Sequence, residues 1–195
     1  LDKWQISSEK KIILMPGRLT PWKGQELLIE AINLVKISLG YEAFKVVILG
    51  SDQGRDLFKK KLIRLIEQHR LNNQIILVDH CKDMALAYKI SKVVVSSSIE
   101  PEAFGRVAVE AQSMEKLIIA SNIGGSNETV LDGKTGFLFE SGNAKSLSEK
   151  IIKVLTMDDA IIKSMGKEGR KNVIKKFNVE KMCFSTYSEY KKLIN

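Results

Sequence analysis

Short apolar runs alternate with longer stretches of helical spacing along nearly the whole chain. Residues 11–15 (KIILM), 44–49 (FKVVIL), 75–78 (IILV), 93–98 (VVVSSS), 117–120 (LIIA) and 136–139 (GFLF) are short and mostly rich in aliphatic side chains. They lack the apolar–polar alternation of a half-exposed strand, which predicts strands buried on both faces. Between the first two runs, Leu27, Leu28, Ala31, Ile32 and Val35 recur on one face of a helix spanning 24–38. Residues 56–71 predict a basic amphipathic helix, 83–90 a short one and 106–114 another. The pair Gly124-Gly125 marks a turn, and residues 146–155, 159–176 and 179–194 predict three closing helices. Strands of this kind separated by helices predict an α/β fold, a doubly wound, Rossmann-like parallel sheet covered on both faces. No repeat, low-complexity tract or linker interrupts the pattern, so residues 1–195 are expected to form one domain.

Composition narrows the picture only a little. Hydrophobic content of 44% and charged content of 28% are ordinary for a globular chain. No apolar stretch is long enough for a membrane span, and no signal peptide is visible. The first residue is Leu1, which fits a fragment or a processed form. Cys81 and Cys183 lack metal-ligand spacing and imply no disulfide framework, as expected of a cytoplasmic protein. The formal net charge of +8 admits phosphorylated substrates or peripheral contact with the inner face of a membrane. It also fits lysines that simply solvate helix faces. Basic residues do not alternate with aromatic ones, so no nucleic-acid partner is expected.

Chemistry concentrates after the fourth apolar run. The segment Glu100-Pro-Glu-Ala-Phe-Gly-Arg-Val-Ala-Val-Glu-Ala111 puts Glu102 beyond a strand's carboxyl end and Glu110 in the first turns of the next helix. Free amides at that helix start favour an anion. Two carboxylates beside them would repel a bare phosphate. They suit a ligand with both phosphate and hydroxyl groups, such as a nucleotide-sugar. A second segment, Gly17-Arg-Leu-Thr-Pro-Trp-Lys-Gly24, follows the first strand. Ligands of open α/β sheets bind there, and Arg18 offers a planar fork and Lys23 a point charge to a diphosphate. Gly50 ends the second strand, where it reads equally as space for a nucleotide or as an ordinary turn. The third segment is Gly124-Gly-Ser-Asn-Glu128, followed by Asp132-Gly-Lys-Thr-Gly136.

In this order and spacing, the three segments resemble retaining glycosyltransferases of the GT-B fold, above all glycosyltransferase family 4. The resemblance covers nearly the whole chain and is to the carboxyl-terminal, donor-binding domain. It implies two Rossmann-like domains facing across a cleft, the amino-terminal acceptor domain being absent from this chain. It implies transfer of a hexosyl or N-acetylhexosaminyl group from a UDP- or GDP-sugar to a glycan or lipid-linked acceptor in surface polysaccharide biosynthesis. No metal or other cofactor is expected, the nucleotide-sugar being a substrate. By resemblance, Arg18 and Lys23 stabilise the departing diphosphate, Glu102 lies near the sugar and Glu110 binds the ribose hydroxyls. Gly17, Gly50, Cys81, Phe104, Gly105, Arg106 and Val107 complete the donor site, and Gly124, Gly125 and Glu128 form a structural turn. Asp79-His-Cys-Lys-Asp83 departs from the family's usual Gly-x-Val-x-Asp, which leaves the base contacts open. His80 has no visible partner that would make it a general base. The last helix resembles a tail that crosses to the other half, so its apolar positions are expected to be partly uncovered. Alternatives are a noncatalytic nucleotide-sugar-binding module and a GT-B nucleotide-sugar epimerase. A nicotinamide-dependent oxidoreductase is disfavoured, because no Gly-x-Gly-x-x-Gly follows the first strand.

Overall fold

The structure is a computed structural model that describes residues 4, 6–39 and 44–194. Its strands are β1 (Lys11–Pro16), β2 (Phe44–Leu49), β3 (Ile75–Val78), β4 (Val93–Ser96), β5 (Leu117–Ser121) and β6 (Gly136–Phe139). Its helices are α1 (Gln25–Leu39), α2 (Asp56–Gln68), α3 (Met84–Ile90), α4 (Arg106–Ser113), α5 (Ser126–Thr129), α6 (Ala144–Thr156), α7 (Asp159–Lys176) and α8 (Val179–Ile194). All strand pairs are parallel, in the order β3-β2-β1-β4-β5-β6.

The apolar runs explain the two layers. Side chains alternate across a strand, so Ile13 and Met15 of β1 join one buried cluster with Leu28 and Ile32 of α1 and Leu147 and Ile151 of α6. Ile12 and Leu14 join the other, with Ala87 and Tyr88 of α3 and Ala108 and Ala111 of α4. Strands apolar at every position are therefore what a doubly covered sheet requires. Winding runs outward from β1 to β3, then returns to place β4 on the other side of β1. Loops after β1 and β4 thus diverge, and a crevice opens between them at the carboxyl ends.

Sequence and structure differ at element ends. Helix α2 stops at Gln68 rather than at Leu71, because Arg70 takes a φ of 53° and the Leu71 amide turns back to the Ile66 carbonyl at 2.9 Å. This drops Leu71 into the core, fully buried. Helix α6 starts at Ala144, because the Asn143 side chain caps it by accepting from the Ser146 amide at 2.9 Å. Two short pieces lacked a periodic signal: α5 and a single 3-10 turn at Pro21–Lys23.

Helix α8 has no buried residue; Met182, Phe184, Tyr187, Tyr190 and Leu193 all face solvent. The uncovered apolar positions expected of this helix are present. Among the described residues no helix is long and apolar enough to cross a membrane.

Candidate functional site

A cleft of about 500 Å³ opens at the crevice between β1 and β4. It is lined by Gly17, Arg18, Lys23, Glu102, Phe104, Gly105, Arg106, Val107 and Glu110, together with Pro16, Met84, Tyr88 and Ala103. Two loops and two helices therefore deliver their polar groups to one place.

One side-chain bond and two backbone bonds hold the first loop. Gln25, fully buried, donates from Nε2 to the Arg18 carbonyl at 2.8 Å. The Gly17 amide donates to the Leu49 carbonyl at 2.9 Å and the Leu19 amide to the Ser51 carbonyl at 3.0 Å. The 3-10 turn that carries Lys23 is tied to the segment after β4. Ile99 donates its amide to the Trp22 carbonyl at 2.8 Å, and Ser97 Oγ donates to the Gly24 carbonyl at 2.9 Å. Gly24 takes a φ of 74°, and a Cβ there would stand 1.9 Å from the Ser97 carbonyl oxygen. Only glycine allows that approach. The second glutamate-bearing loop is fastened by the glycine pair, since the Gly125 amide donates to the Glu102 carbonyl at 2.8 Å. A Cβ on Gly124 would meet the same carbonyl at 2.7 Å. The Gly124-Gly125 turn thus supports the loop from behind.

The charged groups form two pairs. Lys23 Nζ lies 2.8 Å from Glu102 Oε1, both side chains being about 15% exposed or less. Glu102 Oε1 also accepts from Ser98 Oγ, and the Lys23 ammonium stands 4.3 Å from the Trp22 ring centroid. In the second pair, which is the more exposed, Glu110 Oε2 accepts from Tyr88 Oη at 2.8 Å, and Glu110 Oε1 pairs with Arg106 at 3.0 Å. Burial, then the Glu110 charge, push the Tyr88 phenol well above its ordinary pKa. Tyr88 therefore remains a donor to Glu110 even at alkaline pH. Arg106 is largely exposed, so Glu110 holds a fixed partner on one oxygen and a displaceable one on the other. Arg18 is exposed at the cleft. At the start of α4, Gly105 supplies no side chain to cap the first-turn amides, which leaves them to a ligand.

Two expected site residues do not line this cleft. Gly50 lies against the loop after β1: a Cβ on it would be 1.9 Å from the Gly17 carbonyl oxygen. Its missing side chain makes room for Gly17. Cys81 follows the edge strand β3, where its thiol donates to the Asp83 carbonyl at 3.2 Å and packs on the apolar layer beneath the sheet. Tyr88 is the polar cleft residue that sequence reading missed. On α3 it occupies a core position of the helix, and nothing in its spacing marks the hydroxyl that reaches Glu110 across 22 positions.

Residues 1–172 match the family described as glycosyl transferases group 1. The chain belongs to that family. It is 30% identical over 174 residues to the capsular polysaccharide biosynthesis glycosyltransferase CapM of Staphylococcus aureus, covering 89% of this chain and 44% of that one. Anabaena Alr3699/HepE, in a crystal structure with UDP and glucose, superposes with a TM-score of 0.85 at 25% identity, over 94% of this chain and 49% of that one. The crystal structure of the C-terminal domain of a glycosyl transferase group 1 family protein, LpcC of Francisella tularensis, covers 91% of each chain with a TM-score of 0.77 and 26% identity. This glycosyl transferases group 1 chain spans about half the length, or less, of the curated relatives it matches.

Proposed function

We propose that this chain is the carboxyl-terminal, donor-binding half of a retaining glycosyltransferase of family 4. Its donor is a UDP-sugar, or failing that a GDP-sugar, and it transfers a hexosyl or N-acetylhexosaminyl group to a glycan or lipid-linked acceptor of a surface polysaccharide. The observation that carries this reading is the convergence of Arg18, Lys23, the α4 amides, Glu102 and Glu110 on one cleft. A diphosphate fits between the cations and the helix start, where fixed positive charge stabilises the leaving group. Glu110 offers its Arg106-held oxygen to a ribose hydroxyl, and Glu102 sits toward the sugar. The naming of CapM for capsular polysaccharide and the UDP and glucose held by HepE support the acceptor class and the donor. The near-complete mutual coverage with the LpcC domain supports the assignment to the carboxyl-terminal half.

The amino-terminal half would supply the acceptor wall of the cleft. The exposed apolar face of α8 offers a surface for it, continuous with Phe177, whose ring packs edge-on against Phe104 at 5.6 Å. The working location is the cytoplasm or the inner face of the membrane.

UDP is expected to raise the melting temperature. At a concentration about 100-fold above Kd the native state gains ~2.7 kcal/mol, roughly 5–10 °C for a domain of this size. Stabilisation by NAD with none by UDP or GDP overturns the reading. The chain by itself is expected to transfer no sugar beyond slow donor hydrolysis, because the rate depends on holding donor and acceptor together. Robust transfer to an added acceptor by this chain alone would show that it is not half of an enzyme.

Tyr88 supplies a sharper check on the nucleoside end. Tyr88→Phe removes the donor to Glu110 Oε2 without changing the packed ring. Hydrogen bonds to a charged group contribute ~1.5–3 kcal/mol, part of which water recovers, so UDP affinity is expected to fall about three- to tenfold. The loss should be equal for UDP and for the UDP-sugar, since both carry the same ribose. Calorimetric titration showing no change for either ligand would remove Glu110 from the ribose.

A further inference from the structure

A second recess lies at the opposite end of the same strands. Lys11 opens β1, Lys92 precedes β4 and Lys116 precedes β5, three strands adjacent in the sheet. With Lys89 in the last turn of α3 and Lys163 on α7, they surround a cavity of about 510 Å³ lined by six lysines and three carboxylates. The fold itself uses part of this charge. Lys11 Nζ donates to the Leu155 carbonyl at 2.8 Å, and Lys92 pairs with Asp159. Lys89, Lys116 and Lys163 have no ion-pair partner among the described residues.

The backbone beside Lys116 is packed against α7, the helix that carries Lys163. Glu115, next to Lys116, has a φ of 57°, and its carbonyl oxygen would lie 2.1 Å from a Cβ on Gly166 of α7. The loop therefore cannot withdraw without unpacking α7. Lys116 is half-buried, and burial first, then the charge of Lys89, lower its pKa. Like charges converging in a partly desolvated recess are unfavourable, and a multivalent anion offsets that cost.

We propose that this recess binds a multivalent phosphate group. Lysines are compact point charges that suit a phosphate without demanding one planar geometry. The lining contains no aromatic ring on which a base would stack, which disfavours nucleic acid. It is also a separate site from the donor cleft. The six residues of β1 span roughly 20 Å at ~3.3 Å per residue, well beyond the ~8–10 Å screening length at physiological salt. A soluble phosphate ester or diphosphate and the headgroup of an anionic lipid share this chemistry, and the test separates them.

Inorganic pyrophosphate is titrated into Arg18→Ala protein, in which the donor cleft has lost one of its two exposed cations. Failure of that cleft and failure of this recess are then read separately. Adding Lys89→Gln and Lys163→Gln, both at exposed positions, is expected to weaken pyrophosphate binding about 25-fold, taking about fivefold for each lysine near a phosphate surface. In parallel, the protein is sedimented with phosphatidylcholine vesicles with and without phosphatidylglycerol. Loss of pyrophosphate binding in the lysine variant assigns a soluble phosphate. Loss of phosphatidylglycerol-dependent sedimentation assigns a lipid headgroup. If the two substitutions change neither, or if Arg18→Ala protein binds neither probe, the proposal is overturned.

Discussion

Glu102→Gln is expected to tighten the binding of free UDP while removing most turnover from the complete enzyme. Glu102 Oε1 holds Lys23 Nζ at 2.8 Å. An entering diphosphate must share that ammonium and must approach a carboxylate of its own sign. Glutamine keeps the size of the side chain and can still accept from Ser98, but it gives up the charge. Lys23 is then released to the phosphate, and one repulsion disappears. A gain of about three- to tenfold in UDP affinity follows from ~0.7–1.4 kcal/mol. The gain should shrink with added salt, as expected of a charge effect near a surface. Turnover responds in the opposite direction. A group that faces developing charge in the transition state contributes on the order of 10²–10³ in kcat when it is preorganised, and Gln supplies no negative charge. Measurement needs both halves for the rate and only this chain for the affinity. A fall in UDP affinity on Glu102→Gln would mean that the Lys23–Glu102 pair builds the diphosphate site rather than competing with it.

Much of this geometry was legible in the residues, and the remainder was not for identifiable reasons. Each apolar run became a strand, because a fully covered strand needs no polar alternation and Val, Ile and Leu crowd its positions. The motifs placed Arg18, Lys23, Glu102 and Glu110 at strand ends and a helix start, where the topology brings them into one cleft. What linked them was hidden. The bond from Ser97 to the Gly24 carbonyl spans 73 positions, and that from Tyr88 to Glu110 spans 22. Such contacts follow from the sheet order and have no periodicity of their own. Gly50 shows the converse. A glycine after a strand reads equally as space for a ligand or as space for another backbone, and here the Gly17 carbonyl occupies it. Cys81 stands close to the motifs along the chain, but it follows the edge strand β3 and not the crevice between β1 and β4. The pairing of Lys23 with Glu102 was also invisible, because each residue has a separate role in its own motif and the two meet only when the 3-10 turn is tied to the segment after β4.

That tie makes Gly24 the most sensitive position in the site. Gly24→Ala places a methyl group where the structure leaves 1.9 Å to the Ser97 carbonyl oxygen and 2.9 Å to its carbon, at a φ of 74°. The neighbour is backbone that continues buried β4, with Ser97 itself fully buried, so it cannot swing aside as the end of a flexible side chain would. Left-handed backbone costs a non-glycine residue about 1–2 kcal/mol, and overpacking a tight contact costs about 1–3 kcal/mol. A combined loss of roughly 2–5 kcal/mol is a large share of the ~5–15 kcal/mol that keeps a typical protein folded. The melting temperature should fall by roughly 4–20 °C at ~2–4 °C per kcal/mol. Function should fall further than stability, because relief of the clash moves the Pro21–Lys23 turn away from the segment after β4 and carries the Lys23 ammonium out of reach of the diphosphate. At a temperature where the variant is still fully folded by circular dichroism, its UDP affinity should drop at least as far as that of Lys23→Ala. Gly133→Ala is the matched control: its φ of 71° is equally left-handed, but no atom lies within 4 Å of its added Cβ. It should therefore show the backbone cost alone, with UDP affinity unchanged. Equal destabilisation of the two variants would mean that the close approach at Gly24 contributes nothing and that the turn relaxes freely.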